Sequence, residues 1–212
     1  MKRDSENIKR DLAHVCWIGG SSGGGKTTTA KALEEKFGFH VYHHVDKWMG
    51  GDHARVADPD RHPAMVRFRE ILSHMSVPQL FETFPVDELV EGTINYFIEE
   101  FEMVVDDLYE LPRDKPIVAE GSGILPGPVS RVTKPNRTIF LVATEAFERR
   151  RRSQANQESP EPWFEKMIES SSKRREQTVL QAEHLELKII ETDGSRSIED
   201  TFDLVKGHFG LS

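Results

Sequence analysis

Apolar residues recur at three- and four-residue steps through Leu89, Val90, Ile94, Phe97, Ile98, Phe101, Val104, Val105 and Leu108, and predict one long helix over 86–111. Pro112-Arg113-Asp114 ends it, and its acidic opposite face reads as a solvated surface. Met65, Phe68, Ile71, Leu72 and Met75 predict a shorter helix over 64–75. Elsewhere the apolar runs are shorter and richer in β-branched and aromatic residues. His14–Ile18, Phe39–Val45, Lys115–Gly121, Arg137–Ala143 and Leu187–Glu191 read as strands. A helix is predicted over 28–37, with Gly38 as its stop, and Thr144 can cap another that carries Arg149–Arg152. Ser197 and Asp200 form a capping box ahead of Ile198, Phe202, Val205 and Phe209. Residues 48–60, broken by Gly50-Gly51 and Asp58-Pro59, read as loop. Strand and helix alternate five times, which predicts a three-layer α/β/α fold around a five-stranded, mostly parallel sheet.

In such a sheet, ligands sit beyond the carboxyl ends of the strands. Asp46, Glu120, Thr144 and Asp193 all fall there, just after predicted strands. So does the run Gly19-Gly20-Ser21-Ser22-Gly23-Gly24-Gly25-Lys26-Thr27-Thr28, which from Gly20 satisfies G-x-x-x-x-G-K-[ST] between a strand and a helix. Glycines let the loop turn its N–H groups onto an anion, and the following helix adds unpaired N–H groups and the positive end of its dipole. Lys26 can reach the outer phosphates and the Thr27 hydroxyl can ligate Mg²⁺. A nucleoside triphosphate, ATP, is the expected ligand of Gly20 to Thr28.

Composition narrows the partners. At 212 residues the chain suits one domain with a sizeable core. A formal charge of −8 argues against general nucleic-acid binding, which usually needs a basic balance. No run approaches the ~18 apolar residues of a membrane span, and Met1 to Asp11 has no apolar core of a secretory signal. The single Cys16, inside a predicted strand, reads as a small core residue, and one cysteine suits a reducing compartment. These features together predict a cytoplasmic protein and say nothing of its oligomeric state.

The chain resembles the small P-loop kinases of metabolites, the group of the nucleoside and nucleotide kinases and the shikimate and gluconate kinases. The resemblance rests chiefly on Gly20 to Thr27. It rests less on Val45-Asp46, Val118-Ala119-Glu120-Gly121, Arg149–Arg152 and Glu191-Thr192-Asp193-Gly194-Ser195. It implies a single domain with a helical acceptor-binding insertion over 47–111, a lid-like segment over 144–160, and a small-molecule phosphate acceptor. By this resemblance Asp46 is the candidate base. Glu120, at the Walker B position, is a candidate for a Mg²⁺ water or the acceptor. Arg149 and Arg152, three apart, are the lid arginines, and Asp193 and Ser195 lie on the nucleotide side. Lys173-Arg174-Arg175 reads as surface.

Two further readings concern the acceptor. Arg55, in the loop after Asp46, is a candidate for an anionic acceptor because its planar fork suits carboxylate or phosphate. His43 and His44, adjacent in a strand, point to opposite faces and make a poor shared metal site, though one of them can line the acceptor pocket. The alternative to a kinase is a nucleotide-binding switch or NTPase without a small-molecule acceptor. The Asn-Lys-x-Asp signature of guanine-binding switches is absent from the sequence.

Overall fold

The computed structural model describes residues 4–44, 51–156 and 162–212. Its five strands are β1 (Val15–Gly19), β2 (His40–His43), β3 (Ile117–Glu120), β4 (Thr138–Ala143) and β5 (Lys188–Thr192). All pair in parallel, in the order β2-β3-β1-β4-β5. The helices are α1 (Ser5–Asp11), α2 (Lys26–Phe37), α3 (Asp52–Val56), α4 (Pro63–His74), α5 (Val77–Thr83), α6 (Val86–Glu110), α7 (Pro126–Ser130), α8 (Glu145–Asn156), α9 (Pro162–His184) and α10 (Ile198–Phe209). The five strands and the helices predicted over 28–37, 64–75 and 86–111 are therefore present, with ends shifted by a few residues.

The sheet is buried on both faces, and the period-two alternation of the strands sorts the core. Val15 and Trp17 of β1 face Phe101, Val104 and Leu108 of α6, with the Trp17 and Phe101 rings 5.7 Å apart. Cys16 and Ile18 face the other way, toward Ala30 and Leu33 of α2 and Phe202, Val205 and Phe209 of α10. Burial pushes the Cys16 thiol pKa up, as expected of an inert core cysteine. Gly38 closes α2 in the left-handed conformation, φ 70°, and Ser197 Oγ accepts from the Asp200 N–H.

Strand order positions the site. From β1 the chain crosses to one side to build β2 and β3, then returns across β1 to build β4 and β5. The reversal opens a crevice beyond the carboxyl end of β1, where the glycine-rich loop begins.

Three local readings change. Within 48–60, the described residues include the helix α3, so they are not all loop. Arg69 Nη1 on α4 donates to the carbonyls of Ala54 and Arg55, satisfying the end of a helix too short to stand alone. A helix absent from the sequence reading, α5, starts at a capping box in which Ser76 N donates to Gln79 Oε1 at 2.9 Å. Ser76-x-x-Gln79 is the signal that could have found it. The acidic face of α6 is only partly solvated. Glu99 accepts from the first N–H groups of α4, at Ala64 and Met65, and Glu100 is fully buried.

Candidate active site

The glycine-rich loop is pinned to the sheet. Ser21 N donates to Leu141 O of β4, Ala143 N donates to Ser21 Oγ at 2.7 Å, and Thr192 Oγ1 of β5 donates to Gly24 O. Only glycine fits this approach. Gly20 has φ +120°, and a Cβ on Gly20 or Gly24 would overlap the Leu141 carbonyl. Lys26 opens α2 and is 8% exposed, with Nζ donating to Ser21 O at 2.7 Å. Burial pushes its pKa down from 10.5 to about 8, and the nearby Glu120 and Glu148 carboxylates oppose the shift. An anion in the loop would favour the charged form and push the pKa back up.

Beside it, the β1–β3 register sets Ile18 against Glu120 and brings the Glu120 carboxylate to the loop. Glu120 is 2% exposed, and its Oε1 lies 3.0 Å from Thr27 Oγ1 and 2.7 Å from His43 Nδ1. A hydroxyl and a buried carboxylate in contact are hard oxygen donors of the kind Mg²⁺ takes, so Thr27 and Glu120 fit that ion. Asp46 lies outside the described residues. Asp193 Oδ1 accepts from Ser195 N and Oγ, which hold its pKa down, in an exposed turn after β5. Thr28 is exposed on the first turn of α2.

The four arginines of α8 diverge. Arg152 Nε donates to Glu148 Oε1 at 2.8 Å, and Ser171 Oγ on α9 donates to the same carboxylate. Glu148 is 2% exposed and close enough to Lys26 to support its charge. It is a site residue that sequence reading missed, its signal being only a lone Glu one turn before Arg152. Arg149 instead turns outward, with Nη1 on Glu165 at 2.6 and 2.8 Å and Nη2 near Glu145, which corrects its pairing with Arg152 at the cleft. Three residues on a helix span about 300°, so the two share a side only loosely. Arg150 and Arg151 stack on Phe147.

From Gly20, Ser21 and Ser22 a cavity of about 450 Å³ runs between α9 and the α4–α6 lobe. Phe68, Leu80, Phe81, Leu89, Ile94 and Phe97 form an apolar wall. Arg152, Ser170, Ser171, Arg174, Arg175, Thr178 and Gln181 form a polar one. The basic run on α9 is therefore not simply surface. Lys173 is, paired with Asp87 and Glu169, but Arg174 and Arg175 line the cavity and burial lowers the Arg174 pKa. Arg55 does not take the role expected of it. It pairs with Asp52 three residues away, 68% exposed, and is not among the residues lining the cavity.

His44 does line it. Its Nε2 is 2.6 Å from Glu100 Oε2, while Glu100 Oε1 is 3.1 Å from His53 Nδ1 and His53 Nε2 is 3.0 Å from Asp107 Oδ2. Burial works against the Glu100 charge, but the two imidazole contacts together hold its pKa below the usual range. Burial works against the His53 charge too, but its contacts with Glu100 and Asp107 raise its pKa. His43 and His44 thus serve different carboxylates, on β3 and α6. A Cβ on Gly123 would overlap the His44 ring, so this glycine lets the turn after β3 close on it.

The parallel 2-3-1-4-5 sheet, with its pinned glycine loop and a carboxylate on the adjacent strand, is the fold of the P-loop kinases of small metabolites. Among solved structures, shikimate kinase from Bacteroides thetaiotaomicron is similar at TM-score 0.51 and 18% identity, over 93% of this chain and 98% of that one. Thymidylate kinase from Candida albicans is similar at TM-score 0.50 and 13% identity, over 91% and 89%. No protein-family model and no curated protein sequence matches the chain. Among the described residues, no helix is long and apolar enough to cross a membrane.

Proposed function

We propose that the protein is an ATP-dependent phosphotransferase that moves the γ-phosphoryl group to a small hydroxylated or phosphorylated acceptor. The observation that carries this reading is the continuity of the cavity. It starts at the phosphate loop and ends among side chains from α4, α5 and α6, so one space can hold donor and acceptor end to end. A nucleotide switch would have no use for a cleft of this size beyond its phosphate site.

In this reading Gly20 to Thr28 cradle the triphosphate with backbone N–H groups, and Lys26 exchanges its bond to Ser21 O for phosphate oxygen. Asp193 and Ser195 border the nucleotide side. Thr27, with Glu120 behind it, would hold Mg²⁺, whose charge would neutralise phosphate oxygens when bound. Arg152, fixed by Glu148, is the lid arginine that faces charge developing on the transferred group. The acceptor oxygen attacks the γ-phosphorus, the bond from that phosphorus to the bridging oxygen breaks, and ADP leaves with the bridging oxygen. The hydroxyl proton passes to a carboxylate, and we assign it to Asp46. Glu120 Oε1 is already engaged by His43 Nδ1 and Thr27 Oγ1, which leaves it less free to meet an acceptor hydroxyl. Residues 47–111 are the acceptor-binding insertion and 144–160 the lid.

The test is stoichiometric. ATP consumption is followed across nucleosides, nucleotides, sugars and small acids. A kinase consumes ATP rapidly only with its acceptor and yields one phosphorylated product per ADP. Acceptor-independent turnover at the full rate would favour the NTPase reading instead.

A further inference from the structure

Although the protein is acidic overall, no Asp or Glu is among the described residues lining the cavity, while three arginines are. The charge of Arg152 is met by Glu148. Arg174 and Arg175 form no ion pair among the described residues, and the carboxylate whose charge reaches Arg174 is Glu148, already engaged by Arg152 and shared with Lys26. Arg174 Nε donates to the Ser170 carbonyl, and Arg175 Nε is shielded from solvent with no hydrogen-bond partner. Three arginines and Lys26 around the one carboxylate of Glu148 leave an excess of positive charge at the cavity, and such an excess is costly to shield from water unless an anion completes the site.

Position along α9 says which anion. Ser171 touches Glu148, beside Lys26 and so beside the donor phosphates. Arg174 and Arg175 follow one turn later, about 5 Å further along the helix. There the facing wall is apolar and includes Leu89, Ile94 and Phe97. The donor is already served by the loop, Lys26 and Arg152. We propose that Arg174 and Arg175 bind an oxyanion on the phosphate acceptor, a carboxylate or a phosphate. The acceptor is then an amphiphile whose anionic group meets α9 while an apolar ring or chain packs on α5 and α6. This rests on the phosphotransferase reading and deepens it. Each guanidinium offers a planar pair of donors to such a group.

Direct titration tests it without knowledge of the natural acceptor. ADP with Mg²⁺ is titrated into the protein first. Phenyl phosphate, phenylacetate and the neutral benzyl alcohol are then each titrated into the ADP-loaded protein. At least one anion should bind tenfold or more tightly than the alcohol, and which one does so separates a phosphate from a carboxylate. Arg174→Gln and Arg175→Met, which keep the side-chain stems, should each weaken that anion about tenfold or more, since a hydrogen bond to a charged group is worth about 1.5–3 kcal/mol. The ADP dissociation constant should move less than twofold. Alcohol binding as well as both anions would overturn the proposal, even if the variants fail to fold. So would variants that weaken ADP and spare the anion, which would give these arginines to the donor. Failure of ADP to bind the wild-type protein is a separate result, and it would count against the phosphotransferase reading itself.

Discussion

Arg149 to Arg152 on α8 and Lys173 to Arg175 on α9 are both runs of positive charge on a helix, and the fold divides each of them. On α8, Arg152 turns inward to buried Glu148 and the cavity, while Arg149 reaches outward to Glu165. On α9, Arg174 and Arg175 enter the cavity and Lys173 pairs with Asp87 at the surface. The inward members differ in turn. Arg152 is ion-paired with Glu148, whereas among the described residues the α9 pair makes no ion pair and Arg174 feels Glu148 only at a distance. A paired arginine is held in place before any ligand arrives, whereas an unpaired one needs the ligand to complete its site. On the proposed function, that difference suits Arg152 to the nucleotide donor and the α9 pair to recognition of the acceptor.

The largest effect should come from outside both runs and set the scale for them. Lys26→Ala removes the ammonium of the phosphate loop, and such a loss of charge stabilisation commonly costs on the order of a hundredfold or more in rate. Full ATP turnover in this variant, at normal ATP affinity, would remove the frame in which the arginines are compared. Arg152→Ala should follow, lowering the rate of phosphoryl transfer about tenfold or more at saturating ATP, on the scale of a lost charge-assisted bond. Equal losses in Arg152→Ala and Arg149→Ala would erase the distinction drawn on α8.

A smaller effect concerns pH. Lys26 has a pKa of about 8 in the folded protein against an ordinary 10.5. Nucleotide affinity should therefore be level below pH 8 and fall as pH rises through it, by at most about tenfold per unit if only the ammonium binds phosphate. Stability runs the other way. Between about 8 and 10.5 the unfolded lysine holds more protons than the folded one, so this group's contribution rises with pH across that window. Glu148→Gln removes a charge that helps keep Lys26 protonated, and the fall in affinity should begin at lower pH. Titrations of a fluorescent ATP analogue from pH 6.5 to 9.5 measure both curves, and an unmoved curve in Glu148→Gln would reduce Glu148 to a packing role. The smallest effects should be Arg149→Ala and Lys173→Ala. Their partners are solvated, so turnover should stay within about twofold and melting temperature nearly constant.

Much of this molecule is legible in the chain because its cause is local. Gly20 to Thr28 announce a phosphate loop, since the positive φ at Gly20 and the overlap a Cβ would create at Gly24 exclude other residues. The strands and the long helix follow from apolar period alone. The α9 arginines are a middle case. Phe164, Ile168, Ser171 and Arg175 stand four, three and four residues apart, so an inward-facing stripe passes through Arg175, but the polar residues around it hide the pattern.

The amino-acid order by itself determined the parallel α/β fold, the phosphate loop and the edge of the sheet where the site lies, because propensity, glycine sterics and periodicity act within a few residues. Only the tertiary structure decided which charges meet. Glu120 reaches Thr27 from 93 positions away, Glu100 joins His44 and His53 across three elements, and Glu148 holds Arg152 against Ser171 of another helix. Arg55, which its place in the chain marks as the expected anion reader, pairs with Asp52, and it is Arg174 and Arg175 that line the cavity. A side chain's charge is written in the sequence. Whether it is matched depends on burial and on neighbours that only the packing of distant segments brings within reach.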